Sequence, residues 1–316
     1  MKAMVLTAFG GAENFKLQEM DRPTPGVQQA VVKVHATSVN LADTGVRSGM
    51  FGSMMQTPTL LGYDVSGVIE ELGEGVEGWQ VGDEVYYAVD LMGGMGANAE
   101  YNLTHVFKLA RKPKNLSHAE AAAVPVAGGT AYAALITSAD LRLGQSVLIH
   151  GAAGGVGHFA VQLAKATGAY VFATCGGYDA DFVRSLGADT VIDYREEDFV
   201  EVVNQETGGA GVDVVLDAAG GQTAKSIAAT ALNAQIITVA GVQGDLNPAM
   251  RKNATVRFVH LEDAAEKLEA LRVLFERDQI KPEVGATFPL EELARAHNLL
   301  ERGGEGVRGK VVVEIT

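Results

Sequence analysis

Residues 146–168, SVLIHGAAGGVGHFAVQLAKATG, decide the fold. Val147, Leu148 and Ile149 make a continuous apolar run suited to a strand buried on both faces. Gly154, Gly155 and Gly157 follow within a few residues, and without side chains the backbone there can turn sharply and approach a bound phosphate. Val156, Phe159, Ala160, Leu163 and Ala164 recur at helical spacing, which supplies an amphipathic helix with a core-facing stripe. Strand, glycine turn and helix in that order suit a dinucleotide, whose pyrophosphate is met by free amides and the positive helix end. Ala152 stands where a strict G-x-G-x-x-G has its first glycine, so the motif takes its weight from its surroundings.

Those surroundings repeat the pattern. Strands are predicted at 170–174, 190–193, 212–217, 235–240 and 255–259, with helices near 181–186, 196–207 and 224–232 between most of them. This alternation predicts a doubly wound parallel sheet. Upstream the texture changes: short strands at 31–36, 65–72, 83–88 and 100–103 are separated by glycine and proline punctuation, as in an all-β barrel-like domain. Helices are predicted at 119–123 and 130–137, with PVAGG as the break between them. After residue 259 come a helix at 262–277, the segment KPEVGATFP, a helix at 290–301 and a closing strand at 310–315. That last strand needs a sheet to join. Joining it to the N-terminal β region makes that domain discontinuous, with the nucleotide domain inserted between its halves and the cleft between them the natural ligand site.

The 316 residues are enough for two domains with full cores, and 47% hydrophobic with 20% charged residues is an ordinary globular composition. No apolar run reaches bilayer length, and the N-terminus MKAMVLTAFGGAENFK lacks a secretory signal's apolar middle, so the expected compartment is the cytoplasm with no membrane partner. The formal net charge of −14 argues against a phosphate-backbone surface and hence against nucleic acid. The single cysteine, Cys175, rules out an intrachain disulfide and a multi-cysteine zinc site. The seven histidines show no metal-ligand spacing.

The segments SVNLADTGVRSG, LLGYDVSGVIEELGEGVEGWQVGDEVY, AEYNL, AAAVPVAGGTAYAAL, GAAGGVG, GADTVIDYREED, VDVVLDAAGG and GKVVVEI, in this order, resemble the medium-chain dehydrogenases/reductases. The resemblance is to their zinc-independent quinone oxidoreductase and enone reductase branch, and it covers essentially the whole chain. It implies an α/β protein with a discontinuous GroES-like β-rich catalytic domain at 1–121 and 263–316. A Rossmann dinucleotide-binding domain is implied at 122–262. Zinc alcohol dehydrogenases of this superfamily carry a cysteine in the first motif and Gly-His-Glu in the second. Here the first has no cysteine and the second reads Gly62-Tyr63-Asp64, so no zinc is expected.

The resemblance also distributes roles. Cofactor binding falls to Ala153, Gly154, Gly155, Val156 and Gly157 in the turn, and to Thr130, Thr174, Gly176, Tyr194, Gly241 and Asn40. Asn40 faces the nicotinamide end and, with Tyr63, is a candidate catalytic residue. Tyr63 stands where zinc enzymes place a ligand histidine, and its phenol can orient a carbonyl oxygen. Asp43 is expected to hold its loop by accepting backbone amides, and a tyrosine common in quinone reductases is replaced by Gly45. No carboxylate stands at the end of the second strand, in Thr174-Cys175-Gly176-Gly177, which leaves room for a 2′-phosphate and favours NADPH over NADH. The expected reaction is NADPH-dependent reduction of a quinone without metal. The alternatives are reduction of an α,β-unsaturated aldehyde or ketone, or cofactor binding without turnover, as in crystallin-like and regulatory relatives. A homodimer is expected by the same resemblance, through the edge strand that carries Val256, Phe258 and Val259.

Overall fold

The structure, a computed structural model, describes residues 1–316 apart from 51, 53–54, 91–94, 263, 303–305 and 316. The chain forms two units, one of residues 1–126, 263–278 and 282–316, the other of residues 127–262 and 279–281.

In the first unit, glycine and proline keep the strands short. In chain order they are β1 (Lys2–Leu6), β2 (Phe15–Glu19), β3 (Gln29–Val39), β4 (Thr59–Leu60), β5 (Asp64–Leu72), β6 (Glu84–Ala88), β7 (Tyr101–His105) and β8 (Ala110–Arg111). Helix α1 (Leu41–Ser48) follows β3 and α2 (His118–Ala122) follows β8. β1 lies between β2 and β4 in a small antiparallel sheet. The sequence offers little sign of β1 and β2, because their alternation is broken: β1 buries four consecutive residues and β2 exposes four.

The second unit begins in α3 (Pro125–Tyr132), which widens into a π-helical stretch over Ala133–Ser138. PVAGG therefore lies inside a helix and is not the expected break. Proline in a first turn gives up no hydrogen bond, since that N–H has no intrahelical partner. Gly129 lets the helix approach Leu261, whose methyl carbon would stand 3.1 Å from an added Cβ. Then come β9 (Ser146–His150), α4 (Gly155–Ala166), β10 (Tyr170–Cys175), α5 (Ala180–Ser185), β11 (Thr190–Asp193), α6 (Phe199–Glu206), β12 (Val212–Asp217), α7 (Thr223–Ser226), β13 (Thr230–Thr238), α8 (Pro248–Arg251) and β14 (Thr255–Phe258). All six strands are parallel, in the order β11-β10-β9-β12-β13-β14. This is the doubly wound order, with its reversal point beside the C-terminal end of β9. Val147, Leu148 and Ile149 are fully buried, as a strand covered on both faces requires. The helix expected to reach residue 232 stops earlier. Thr230 already pairs with Val212, Leu232 is exposed, and the left-handed Asn233 lets β13 shift register before pairing again at Gln235.

The chain returns to the first unit through α9 (Ala264–Glu276), β15 (Val284–Pro289), α10 (Leu293–Glu301) and β16 (Lys310–Glu314). β16 lies between β15 and β3, giving a sheet of order β15-β16-β3-β5-β6-β8 with β7 also on β3. Val32, Val34, Val65, Ile69, Val85, Tyr87, Val311 and Val313 share its core, each side chain contributing about 2 kcal/mol by leaving water. VGATFP, which carries glycine and proline and was not read as a strand, pairs with β16 as the edge strand β15, with a register shift between Val284 and Ala286. The expected α/β fold class, a β-rich discontinuous unit and a doubly wound parallel sheet, is the one the chain adopts, the first unit being built from three chain segments. No helix among the described residues is long and apolar enough to cross a membrane.

Residues 279–281 belong to the second unit, where Gln162 of α4 holds Lys281 by both backbone groups: Lys281 N–H donates to Oε1 at 2.8 Å, and Nε2 donates to the Lys281 carbonyl at 2.9 Å. Gln162→Ala leaves both groups without these partners, at a cost of about 2 kcal/mol. The expected result is a lower urea midpoint with unchanged slope; an unchanged midpoint would show that solvent satisfies them.

Candidate functional site

The sequence motif of the second unit becomes a cradle at the end of β9. Gly151 turns the chain with a φ of +71° and its carbonyl accepts the Gly154 N–H at 3.0 Å. Gly154 caps α4, and a Cβ on Gly157 would lie 2.1 Å from the Gly151 oxygen and 2.7 Å from Ala152 Cα, so only glycine lets the first helical turn rest on this loop. Ala152 and Ala153 are buried, Gly155 and Val156 half-buried, and Gly154 exposed. The first-turn amides of α4 have no intrahelical partners, and the helix dipole adds positive potential there. Open amides, positive potential and no obstructing side chain fit a pyrophosphate. Gly151, one place before the fingerprint's first position, was not singled out from sequence; it is the residue whose backbone demands glycine.

Thr174, Gly176, Tyr194 and Gly241 lie with this cradle at the C-terminal ends of the parallel strands. Thr174 is committed internally. Ser226 Oγ donates to the Gln222 carbonyl, so the His150 Nε2–H donates to Ser226 at 2.9 Å, and Nδ1 accepts from Thr174 Oγ1 at 3.1 Å. Burial pushes His150 down to about 4, which keeps it neutral and preserves this arrangement. Thr174 thus braces the end of β10 against β9. Tyr194 is exposed, and the Arg195 guanidinium lies 5.8 Å from its ring centroid and 5.2 Å from that of Tyr178. Asp179 is buried at the start of α5, the half-buried Asp193 carboxylate stands against Gly177, and burial raises the Cys175 thiol to about 11, so no reactive thiol stands at this turn. Gly241 is exposed after β13, where its carbonyl accepts the Gly221 N–H at 3.3 Å. Thr130 is buried within α3, not at a helix start, so it does not cap.

The first unit holds Asn40 in a buried polar network, and Tyr63 lies in sequence between Gly62 and Asp64, two residues that join it. Asp43, in the first turn of α1, accepts the Asn40 N–H at 2.8 Å and the Gly62 N–H at 3.0 Å, tying the start of α1 to the start of β5. Gly62 has a φ of +101° and leaves no room for a Cβ beside the Asn98 backbone. Asp64 is fully buried. Its carboxylate accepts Ser38 Oγ, Asn40 Nδ2 at 2.7 Å and the Val126 N–H at 2.7 Å, and pairs with the Lys310 ammonium at 3.5 Å. Lys310 also donates to the Val39 carbonyl at 3.1 Å and to Asn40 Oδ1. Tyr63 is 4% exposed, and among the described residues its hydroxyl has no hydrogen-bond partner. Burial, with the Asp43 charge, pushes that phenol well above its usual range, so it is a neutral donor at all ordinary pH. Ser38, Asp64 and Lys310 were not singled out from sequence; a lysine opening an otherwise apolar strand, in GKVVVEI, was the available signal. Among the described residues no group of three His, Cys, Asp or Glu is arranged to hold a metal.

Comparison with known proteins supplies the family. An alcohol dehydrogenase GroES-like domain model matches residues 26–114 and a zinc-binding dehydrogenase model matches residues 186–313. Quinone oxidoreductase of Pongo abelii is 34% identical over 99% of this chain and 97% of its own. The chain belongs to the medium-chain dehydrogenase/reductase family, in its quinone oxidoreductase branch. Within this family of oxidoreductases, the 2-methylene-furan-3-one reductase of Solanum lycopersicum is 34% identical over 99% of this chain and 79% of its own. The structure of Escherichia coli quinone oxidoreductase complexed with NADPH matches with a TM-score of 0.90 at 30% identity, covering 99% of this chain and 100% of that one.

Burial, reinforced by the neighbouring Asp64 charge, pushes Asp43 up to about 7 from the usual 3.8. The native state then binds a proton that the unfolded chain releases, so this group's contribution is greatest in acid and is lost as pH rises from about 4 through 7. Asp43→Asn does not titrate. The stability of wild type relative to this variant, from urea unfolding across that range, should fall with rising pH and level off above 7; a constant difference would contradict the buried, elevated carboxyl.

Proposed function

We propose that the protein is an NADPH-dependent, zinc-independent reductase of quinones. The observation that carries this reading is the glycine cradle at the reversal point of the parallel sheet, in a chain of the quinone oxidoreductase branch. Ala153 through Gly157 hold the pyrophosphate through the first-turn amides of α4. Gly176 keeps the adenosine side of the turn open, Thr174 braces it, and Tyr194 with Arg195 faces the 2′-phosphate. Thr130 and Gly241 approach the nicotinamide half, and Asn40 orients the nicotinamide. NADPH is favoured over NADH because the stretch after β10 offers a nearby cation and no exposed carboxylate at the strand end.

Bound NADPH supplies a hydride from C4 of its nicotinamide, which with one proton from solvent reduces the acceptor and leaves NADP+. The chain's own contribution is to hold cofactor and acceptor in contact and to exclude water. Tyr63 and Asn40 donate hydrogen bonds to the acceptor oxygen as negative charge builds on it. Support for metal independence comes from residue chemistry: the first motif lacks cysteine, and Tyr63 stands in the place of a ligand histidine. The relative from Solanum lycopersicum supports a second reading, in which the acceptor is an α,β-unsaturated ketone or aldehyde. We also infer a cytoplasmic homodimer paired through β14, whose edge exposes Phe258; sedimentation as a monomer at micromolar concentration would remove the dimer.

The deciding experiment follows NADPH and NADH consumption with 1,4-benzoquinone, 9,10-phenanthrenequinone and a 2-alkenal. Turnover selective for NADPH with a quinone is expected; turnover with the alkenal alone selects the enone reading, and tight binding without turnover selects the crystallin-like one. Tyr63→Phe tests the donor. Removing an unsatisfied buried hydroxyl should raise stability by about 1 kcal/mol, while kcat falls about tenfold or more and NADPH affinity holds. Unchanged kcat would leave Tyr63 a packing residue.

A further inference from the structure

We propose that Lys310 and Asp64 are positioning residues for hydride transfer, which together lock the side-chain amide of Asn40 in a single orientation. This rests on the reading that places Asn40 at the nicotinamide. The amide oxygen accepts from the Lys310 ammonium, and its nitrogen donates to the Asp64 carboxylate at 2.7 Å. Turned by half a rotation, the amide would set its NH2 against the ammonium and its oxygen against the carboxylate, repelled at both ends. Charge on either side thus strengthens the selection of one orientation.

The lock is itself held. Asp64 is fixed by Ser38 Oγ and by the Val126 N–H at 2.7 Å, and Lys310 by the Val39 carbonyl at 3.1 Å. Ser38, Asn40, Asp64 and Lys310 are all buried, so solvent does not screen the pair. The Asn40 side chain also accepts the Asp43 N–H in a capping box, so the start of α1 adds a further anchor. A buried ion pair adds little net stability compared with apolar residues of similar size, whereas it does impose geometry.

Asp64→Asn/Lys310→Met removes both charges together and leaves no unpaired ion. Thermal melting establishes its fold, a fluorescence titration gives its NADPH affinity, and stopped-flow absorbance gives the hydride-transfer rate with saturating NADPH and acceptor. The expected double variant melts cooperatively and binds NADPH within about threefold of wild type, but transfers hydride about tenfold or more slowly. Lys310→Arg, which keeps the charge, should retain most of the rate. Adding Asn40→Ala to the double variant should cost nothing further beyond Asn40→Ala alone, because all three changes abolish one function. A wild-type rate in the double variant, or losses that multiply with Asn40→Ala, would overturn the proposal. Wild-type protein that binds NADPH but oxidises it with none of the quinone or alkenal acceptors would instead overturn the functional reading, and this proposal with it.

Discussion

A single carboxylate, Asp64, organises the first unit. It is fully buried at the start of β5, and a carboxylate in that position must be paired and hydrogen-bonded or it unfolds its surroundings. Four partners meet the requirement, and each comes from a different part of the chain: Ser38 from β3, Asn40 from the cap of α1, Val126 from α3 and Lys310 from β16. The C-terminal strand therefore does more than complete a sheet. It delivers the counter-charge that allows an ion to stand beneath the loop carrying Asn40. Asp43 repeats the device one helical turn along, joining the same loop to Gly62. Both candidate catalytic residues of this unit, Asn40 and Tyr63, are neighbours in sequence to these anchors and inherit their rigidity.

In the second unit the corresponding constraint is steric. Gly157 must lack a Cβ for α4 to begin where it does, and Gly151 must adopt a left-handed conformation for β9 to lead into it. Strand order then puts this turn at the point where the sheet reverses direction, with no neighbouring crossover to cover it. His150 and Thr174 lock the adjacent strand ends from beneath. Chemistry in such a site belongs largely to the ligand, and the protein's part is to fix positions. That is why substrate identity is so faintly written in the residues.

What could be read from sequence follows the same division. The parallel strands were legible because burial on both faces leaves uninterrupted apolar runs, and the turn because glycine spacing has few other causes. Boundaries failed where tertiary contacts overrode local preference: PVAGG is helical because Pro125 sits in a first turn, and the helix expected through residue 232 yields to pairing of Thr230 with Val212. β15 hid behind its glycine and proline. On the site itself, Asn40, Tyr63 and the glycine turn were visible as motif positions, while the Asp64–Lys310 pairing was not. Its members are 246 positions apart, and no local pattern encodes which buried charges meet. Tyr194 was visible, whereas the stacking of Arg195 on Tyr178 depends on two loops that only the fold brings together.

Hydride transfer from NADPH without metal is the central claim, and one measurement addresses it directly. Protein freed of metal by a chelator, with its metal content verified, is mixed in stopped flow with 9,10-phenanthrenequinone and either NADPH or NADPH deuterated at the transferred C4 position. The account predicts oxidation of both, measurably slower with deuterium, and no change on adding zinc. Oxidation that requires added zinc, or no oxidation of NADPH by the metal-free protein, would contradict it.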